Sequence, residues 1–255
     1  MSISDIKEEF KKIDYDSINA LESFIECYKD DSRSGVVMIV SNAKKKLDAL
    51  NNEIKRSYKM LEFERKYYEM GYKYICGIDE VGRGPLAGPV VTCAVILPKD
   101  ETILYLNDSK QVSKKKREEL YDIIKEKAVA IGIGMSSEEK IDEINILQAT
   151  YEAMRISIDN LSVKPDILLN DAVKIPNVNI HQVPIIKGDT LSASIAAASI
   201  VAKVTRDRIM EQYADIYPQY GFAENVGYGS AKHIEAIKKY GPSPIHRRTF
   251  IKNFV

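Results

Sequence analysis

Ile75-Cys76-Gly77-Ile78-Asp79-Glu80-Val81-Gly82-Arg83-Gly84-Pro85, followed by Leu86-Ala87-Gly88-Pro89 and Val90-Val91-Thr92-Cys93-Ala94-Val95-Ile96-Leu97, is the stretch that sets the character of this chain. Residues 74–78 read as a strand. Residues 90–97 form a nearly continuous apolar run closed by Pro98, which reads as a strand buried on both faces. Between them lies a turn-rich segment that opens on two adjacent carboxylates. Neighbouring strand residues point to opposite faces, so Asp79 and Glu80 are expected to project together only if the strand ends or bends there, which Gly82 permits.

Outward from this pair, the downstream text alternates strands and helices. A basic helix is expected over 113–127, a strand over 128–135, a helix over 146–161, a short strand over 166–169 after Pro165, and an extended segment over 179–186. A long alanine-rich helix follows over 192–213, and a last helix over 230–240 is ended by Gly241-Pro242. This order predicts an α/β domain with a mixed central sheet flanked by helices, antiparallel among its opening strands because their links are short. Upstream the text is almost purely helical. Val36, Val40, Ala43, Leu47, Leu50 and Ile54 make one apolar stripe, and Ile18, Leu21, Phe24 and Ile25 suggest a shorter helix capped at Asp16-Ser17. Residues 1–70 are therefore expected to form a helical extension and residues 71–255 the catalytic domain. The extension reads first as a packing accessory, with partner or nucleic-acid binding as the lesser alternative.

Composition narrows the classes. The 255 residues suit one domain plus an appendage, and 45% are hydrophobic, enough for a sizeable core. No apolar run reaches membrane-spanning length, and the start lacks the apolar core of a signal peptide. The three scattered cysteines argue against a disulfide framework or a zinc site and fit a reducing, cytoplasmic setting. Lys plus Arg and Asp plus Glu both number 37, so binding to nucleic acid would require a local basic surface.

Four carboxylates occupy unusual places. Asp79 and Glu80 close the first strand, Asp171 closes the strand after Ile167-Leu168-Leu169, and Asp189 stands in Lys187-Gly188-Asp189-Thr190 before the alanine-rich helix. Neighbouring strands lie about 5 Å apart, so acids at several strand ends can converge on one sheet edge. Such a group repels itself unless cations neutralise it. Hard oxygen donors without histidine or cysteine suit Mg²⁺ or Mn²⁺. Two such ions about 4 Å apart can activate a water and stabilise the leaving oxygen of a phosphodiester. Taken singly, an aspartate at a strand end is more often a turn former, and Asp189 reads equally as a helix cap.

Other residues surround these acids in sequence. Gly82-Arg83-Gly84 does not match a dinucleotide fingerprint, because Pro85 stands where a helix would begin. Its glycines would let backbone groups approach a sugar, a tight turn with a solvated arginine being the plainer alternative. Lys203 and Arg206, one turn apart, could contact phosphates together with Lys187. The run Lys114-Lys115-Lys116-Arg117 could do likewise, although such runs are usually solvated. Tyr228, in Gly227-Tyr228-Gly229, could stack on a sugar or base, with a packing role as the alternative. His233 and His246 read as structural histidines rather than catalytic ones.

Read together, the segments resemble the ribonuclease HII family. Residues 78–90, Ile-Asp-Glu-Val-Gly-Arg-Gly-Pro-Leu-Ala-Gly-Pro-Val, resemble its opening active-site motif, and Asn107-Asp108-Ser109-Lys110 resembles a second block. Lys187-Gly188-Asp189, the helix text from Ser194 to Asp207, Gly227-Tyr228-Gly229 and Tyr240-Gly241-Pro242-Ser243-Pro244-Ile245-His246-Arg247 follow in family order. The resemblance covers about residues 72–250, and an extension like 1–70 occurs in some bacterial members. It implies a ribonuclease H-like fold, with Asp79, Glu80, Asp171 and Asp189 as metal-binding carboxylates. It further implies that Gly82, Arg83 and Gly84 read a 2′-hydroxyl at an RNA–DNA junction, that Tyr228 assists, and that Lys203 and Arg206 hold the phosphate backbone. Arg83-Gly84 favours type II over type III. Asn170 departs from the apolar residue usual before the strand-end aspartate.

The sequence thus points to a metal-dependent endoribonuclease that cuts the RNA strand of RNA–DNA hybrids and incises 5′ to ribonucleotides embedded in DNA, working as a monomer. The alternatives are a type III-like hybrid nuclease and a non-catalytic hybrid-binding protein. The second is disfavoured because four uncompensated acids would repel a phosphate backbone. No recognisable sliding-clamp motif follows Phe250.

Overall fold

A computed structural model describes residues 1–253. Phe254 and Val255, assigned above to the catalytic domain, lie outside the described residues. The chain divides into two compact units, the first Met1–Lys59 and the second from Met60 onward. The first holds helices α1 (Ile3–Lys11), α2 (Ile18–Tyr28) and α3 (Ser34–Lys59). Ser2 and Asp5 form a capping box on α1, and the Ser17 side chain accepts from Ala20 N at the start of α2. The apolar stripe of α3 turns Val36, Val40 and Ala43 inward onto Ile6 and Phe24.

The second unit opens with α4 (Glu62–Glu69), so the compact boundary falls earlier than residue 70. Next come β1 (Ile75–Val81), β2 (Val90–Ile96), α5 (Lys114–Lys127), β3 (Ala130–Ser136), α6 (Glu138–Asp159), β4 (Ile167–Asp171) and β5 (His181–Ile185). The short α7 (Gly188–Leu191), the long α8 (Ala193–Ile216), α9 (Phe222–Asn225), α10 (Ala231–Tyr240) and α11 (Arg248–Ile251) complete it. The strands form one five-stranded sheet in the order β3-β2-β1-β4-β5. β1 pairs antiparallel with β2, and β2 with β3, even though α5 intervenes before β3. β1 pairs parallel with β4, and β4 with β5. The mixed sheet expected from the sequence is present, and β1 is the border between its two halves.

Both faces are covered, which explains why β2 is buried at every position. Val91, Cys93 and Val95 turn toward the alanines and valines of α8, while Ala94 and Ile96 pack with Met154 and Ile158 of α6. Two departures from the sequence reading have local causes. The helix expected from 146 is present, but a further helical segment from Glu138, not expected from the sequence, runs into it. Asn145, at φ 67°, separates the two, and the Asn145 side chain accepts from Leu147 N at 3.0 Å and Gln148 N at 3.2 Å, so Asn145 caps the second segment. The expected break at Asp79-Glu80 is also absent. β1 stays paired with β2 through Val81, and the chain turns only at Gly82, at φ +92°.

Candidate active site

Parallel pairing of β1 with β4 stops at Ile78↔Asn170, so β1 runs on past the end of its neighbour. Asp79 lies level with Asp171, the last residue of β4, and Glu80 lies on that overhang. The cleft around it therefore receives side chains from both faces of the strand, which removes the need for a bend. This cleft, about 170 Å³, is lined by Asp79, Glu80, Asp171 and Asp189 together with Gly82, Arg83, Gly84 and Tyr228. All four predicted acids meet there, beside the predicted glycine–arginine segment and tyrosine. Asp108, Ser109, Lys110 and Ser199 complete the lining. Asp108 adds a carboxylate and Lys110 a cation that sequence reasoning left without roles, although their block had been noticed.

The four acids are delivered by three pieces of backbone, Asp79 and Glu80 sharing β1. Asp79 is 6% exposed, on the central strand. Asp171 ends β4, and its Oδ1 accepts from Gly188 N at 2.8 Å, which ties β4 to the start of α7. That turn presents Asp189. Ser192 closes α7, and its side chain accepts from Ile195 N at the start of α8. Asn170, the polar departure, is fully buried and donates to Gln182 Oε1 at 3.0 Å, so β5 supplies it with a partner.

The electrostatics are those of an anionic cluster that nearby cations offset only in part. Burial, then Glu80 and Asp171, push the Asp79 carboxyl well above its ordinary value, against a lowering hydrogen bond from Ser199. Burial raises Glu80, partly offset by Arg83. Burial, Asp171 and Asp108 raise Asp189, with Lys110 opposing. The single ion pair at these acids among the described residues is a 3.4 Å contact between Arg83 and Glu80. Among the described residues, no three acidic, histidine or cysteine side chains already enclose one point as ligands, so the acids ring the cleft rather than form a closed cage. An all-oxygen donor set under mutual repulsion fits hard divalent cations such as Mg²⁺ or Mn²⁺.

The predicted phosphate contact of Arg206 is corrected. Arg206 is fully buried, and its guanidinium donates to Pro89 O at 2.9 Å, Val226 O at 2.8 Å and Ala87 O at 3.1 Å. Rather than facing solvent it pins the loop that follows β1, and a Cβ on Gly82 would stand 2.3 Å from its Nε. Lys203 is likewise engaged within its own helix, at 2.7 Å from Asp207, and is absent from the cleft wall. Helical spacing put both on a plausible face, but spacing does not say whether that face meets solvent or a loop.

Two buried charges escaped sequence reasoning. Arg247 is also fully buried and donates to Gly82 O at 2.5 Å, Gly88 O at 2.7 Å and Arg83 O at 2.9 Å. It holds the carbonyls of the segment inward. Burial and the nearby Arg206 bring its guanidinium down to about 9, and Glu138 and Asp142 are the opposing carboxylates. Glu64, 3% exposed on α4, accepts at Oε1 from Ser192 Oγ at 2.6 Å, Ser194 Oγ at 2.7 Å and Ser194 N at 2.9 Å. It thereby caps α8 from outside that helix, three residues after Asp189. Neither role leaves a local pattern, because each partner is distant in the chain.

Comparison with known proteins accords with this geometry. A family model described as ribonuclease HII matches residues 76–253, and one described as ribonuclease HII N-terminal domain matches residues 2–68. A ribonuclease HII of Lachnoclostridium phytofermentans is 63% identical over 89% of this chain and 88% of its own length. One from Acetivibrio thermocellus is 50% identical over 100% of this chain and 98% of its own. Among solved structures, the ribonuclease H2 of Pyrococcus horikoshii aligns with a TM-score of 0.59 at 26% identity, covering 71% of this chain and 96% of that one. With a mixed sheet of this topology, acids at its strand ends and relatives this similar along nearly the whole chain, the protein belongs to the ribonuclease HII family and is an endoribonuclease.

Proposed function

We propose that the chain hydrolyses the RNA strand of RNA–DNA hybrids and incises 5′ to ribonucleotides embedded in DNA, leaving 3′-hydroxyl and 5′-phosphate ends. The observation that carries this reading is adjacency. The acidic cluster and the Gly82-Arg83-Gly84 segment share one cleft with Tyr228, whose ring lies 3.8 Å from where a Cβ on Gly84 would stand. A cleavage centre and a surface for one sugar are thus side by side.

Asp79, Glu80, Asp171 and Asp189 would hold Mg²⁺ or Mn²⁺, two ions during turnover. When bound, such ions supply the positive charge that activates water and stabilises a leaving oxygen. Asp79 is held by Ser199 and Asp171 by Gly188 N, so these carboxylates are oriented before substrate arrives. Because Arg247 draws the carbonyls of Gly82 and Arg83 away, the amide side of the segment is left for the substrate. Lacking side chains, the two glycines admit a 2′-hydroxyl, which both donates and accepts. Tyr228, 41% exposed, offers a flat ring to the sugar or base. Arg83 and Lys110, at the rim, take the place of Arg206 and Lys203 as the cations nearest the phosphates.

No helix among the described residues is long and apolar enough to cross a membrane. The free cysteines support a reducing cytosol, and no step of the chemistry requires a second copy, so we read the enzyme as a cytoplasmic monomer. The test is cleavage of a duplex carrying one ribonucleotide, with Mg²⁺ or Mn²⁺ and with chelator. Cutting immediately 5′ to the ribonucleotide, only with metal, is expected; equal cutting in chelator overturns the reading.

A further inference from the structure

His233 and His246 are 0% and 2% exposed and take no part in the chemistry above. They join two distant segments by a continuous chain of hydrogen bonds. At one end, Ser243 N stands 2.9 Å and Ser243 Oγ 2.7 Å from His246 Nδ1. In the middle, the two Nε2 atoms are 3.0 Å apart. At the other end, His233 Nδ1 stands 2.8 Å from Tyr228 O.

Both ends fix the protons. A backbone amide can only donate, so His246 Nδ1 must carry a lone pair. A carbonyl can only accept, so His233 Nδ1 must carry a hydrogen. A neutral imidazole has one nitrogen of each kind, so His246 Nε2 bears a hydrogen and His233 Nε2 does not. The two tautomers, imposed from opposite ends, meet as donor and acceptor. A proton added to His246 would oppose the Ser243 amide, and one added to His233 would oppose His246 Nε2–H. The surroundings favour neutrality: Tyr220 and Phe222 pack against both rings, and Arg248 is the nearby charge acting on His246. The Tyr220 hydroxyl is itself engaged, donating to Gly241 O at 2.7 Å. Burial lowers both imidazoles, His246 to about 4.

The far end of this chain is the backbone of the tyrosine in the cleft. Tyr228 O also accepts from Ser230 N at 2.8 Å, and Tyr228 N donates to Asn225 O at 2.8 Å, so the residue is gripped from both sides. We propose that His233 and His246 are positioning residues, a neutral relay of locked tautomers that fixes the Tyr228 carbonyl from residues 243–246 and so sets its ring over Gly84. The proposal rests on the reading that Tyr228 contacts substrate.

Two measurements on the full chain test it. With only three histidines, ¹⁵N spectra of the imidazoles can be assigned by single substitutions. At neutral pH they should show one Nδ1–H and one Nε2–H ring, in His233 and His246 respectively; charged or exchanging rings overturn the relay. Cleavage of a duplex with one ribonucleotide is then measured for Tyr228→Ala, His246→Phe and the double variant. His233→Phe, which keeps an aromatic ring beside Phe222, is the second interruption should His246→Phe fail to fold. Losing a stacking contact should raise KM roughly tenfold in Tyr228→Ala. His246→Phe should raise KM with little change in kcat, and should add almost nothing in the Tyr228→Ala background. If Tyr228→Ala leaves KM unchanged, the substrate contact falls and the positioning role with it. If Tyr228→Ala raises KM but the two effects add, the contact stands and the positioning role is overturned.

Discussion

The acidic cleft and the loop immediately after it are neighbours in chain and space, yet they treat charge in opposite ways. In the cleft, carboxylates face one another with a single long ion pair among the described residues, and three of them are pushed upward in pKa. In the loop, Arg206 and Arg247 are buried with their donors aimed at five carbonyls, those of Gly82, Arg83, Ala87, Gly88 and Pro89, while Arg206 adds a bond to Val226 O. One region stores repulsion that a ligand can relieve; the other is satisfied internally and stays rigid. Arg206 and Arg247 are committed to backbone carbonyls, and the cations that partly offset the acids are Arg83 and Lys110, so the remaining repulsion is left for ions from solution to relieve.

Breaking the acidic side should give the largest effect. Asp79→Asn should lower turnover by roughly 10³-fold, the scale of removing a preorganised charge-stabilising group, in a steady-state assay with Mg²⁺. The same change should stabilise the metal-free protein by about 0.5–2 kcal/mol at neutral pH, read by thermal melting. The sign follows from linkage. Asp79 and Glu80 have folded values above their ordinary 3.8 and 4.5, so their favourable contribution is complete below those values and is lost as pH rises through the folded ones. Without divalent ions the melting temperature should therefore fall as pH is raised toward neutrality, and Mg²⁺ should remove the slope. A flat metal-free profile would contradict the stored repulsion.

Breaking the satisfied side should cost stability first. Arg247→Lys keeps the charge but not the fork that reaches three carbonyls, and should destabilise the fold by about 3–5 kcal/mol, as when one partner of a buried charged network is removed. A smaller loss, about 1–3 kcal/mol, is expected for Glu64→Ala, which leaves two buried serine hydroxyls and an amide without their acceptor. Denaturant melts distinguish both from wild type. The smallest effect sharpens the correction about phosphates: Lys203→Ala should raise KM less than Arg83→Ala does, and the reverse order would return Lys203 to the substrate.

What was legible in the sequence follows the same division. Strand text around Asp79, the strand ending at Asp171 and the turn at Asp189 were readable because local patterning marks strand ends. Their convergence was not, since it depends on the order β3-β2-β1-β4-β5 and on β1 outrunning β4. Arg206 was misread because a helix has several faces and periodicity does not say which one a loop will cover. Arg247, Glu64 and the histidine relay act on partners far away in the chain, so no short-range signal announces them. Even the run through Val81, expected to break at the acid pair, was decided by pairing with β2 rather than by the residues themselves.

Gly77 sits on β1 two residues before Asp79, and a methyl group there would lie 2.1 Å from the backbone carbon of Ser194. At this point strand and helix touch main chain to main chain, with no room for a side chain between them. Any side chain at residue 77 would push β1 off α8 and shift Asp79 with it. Changes at the cleft wall lined by Asp108 and Lys110 meet no such main-chain barrier.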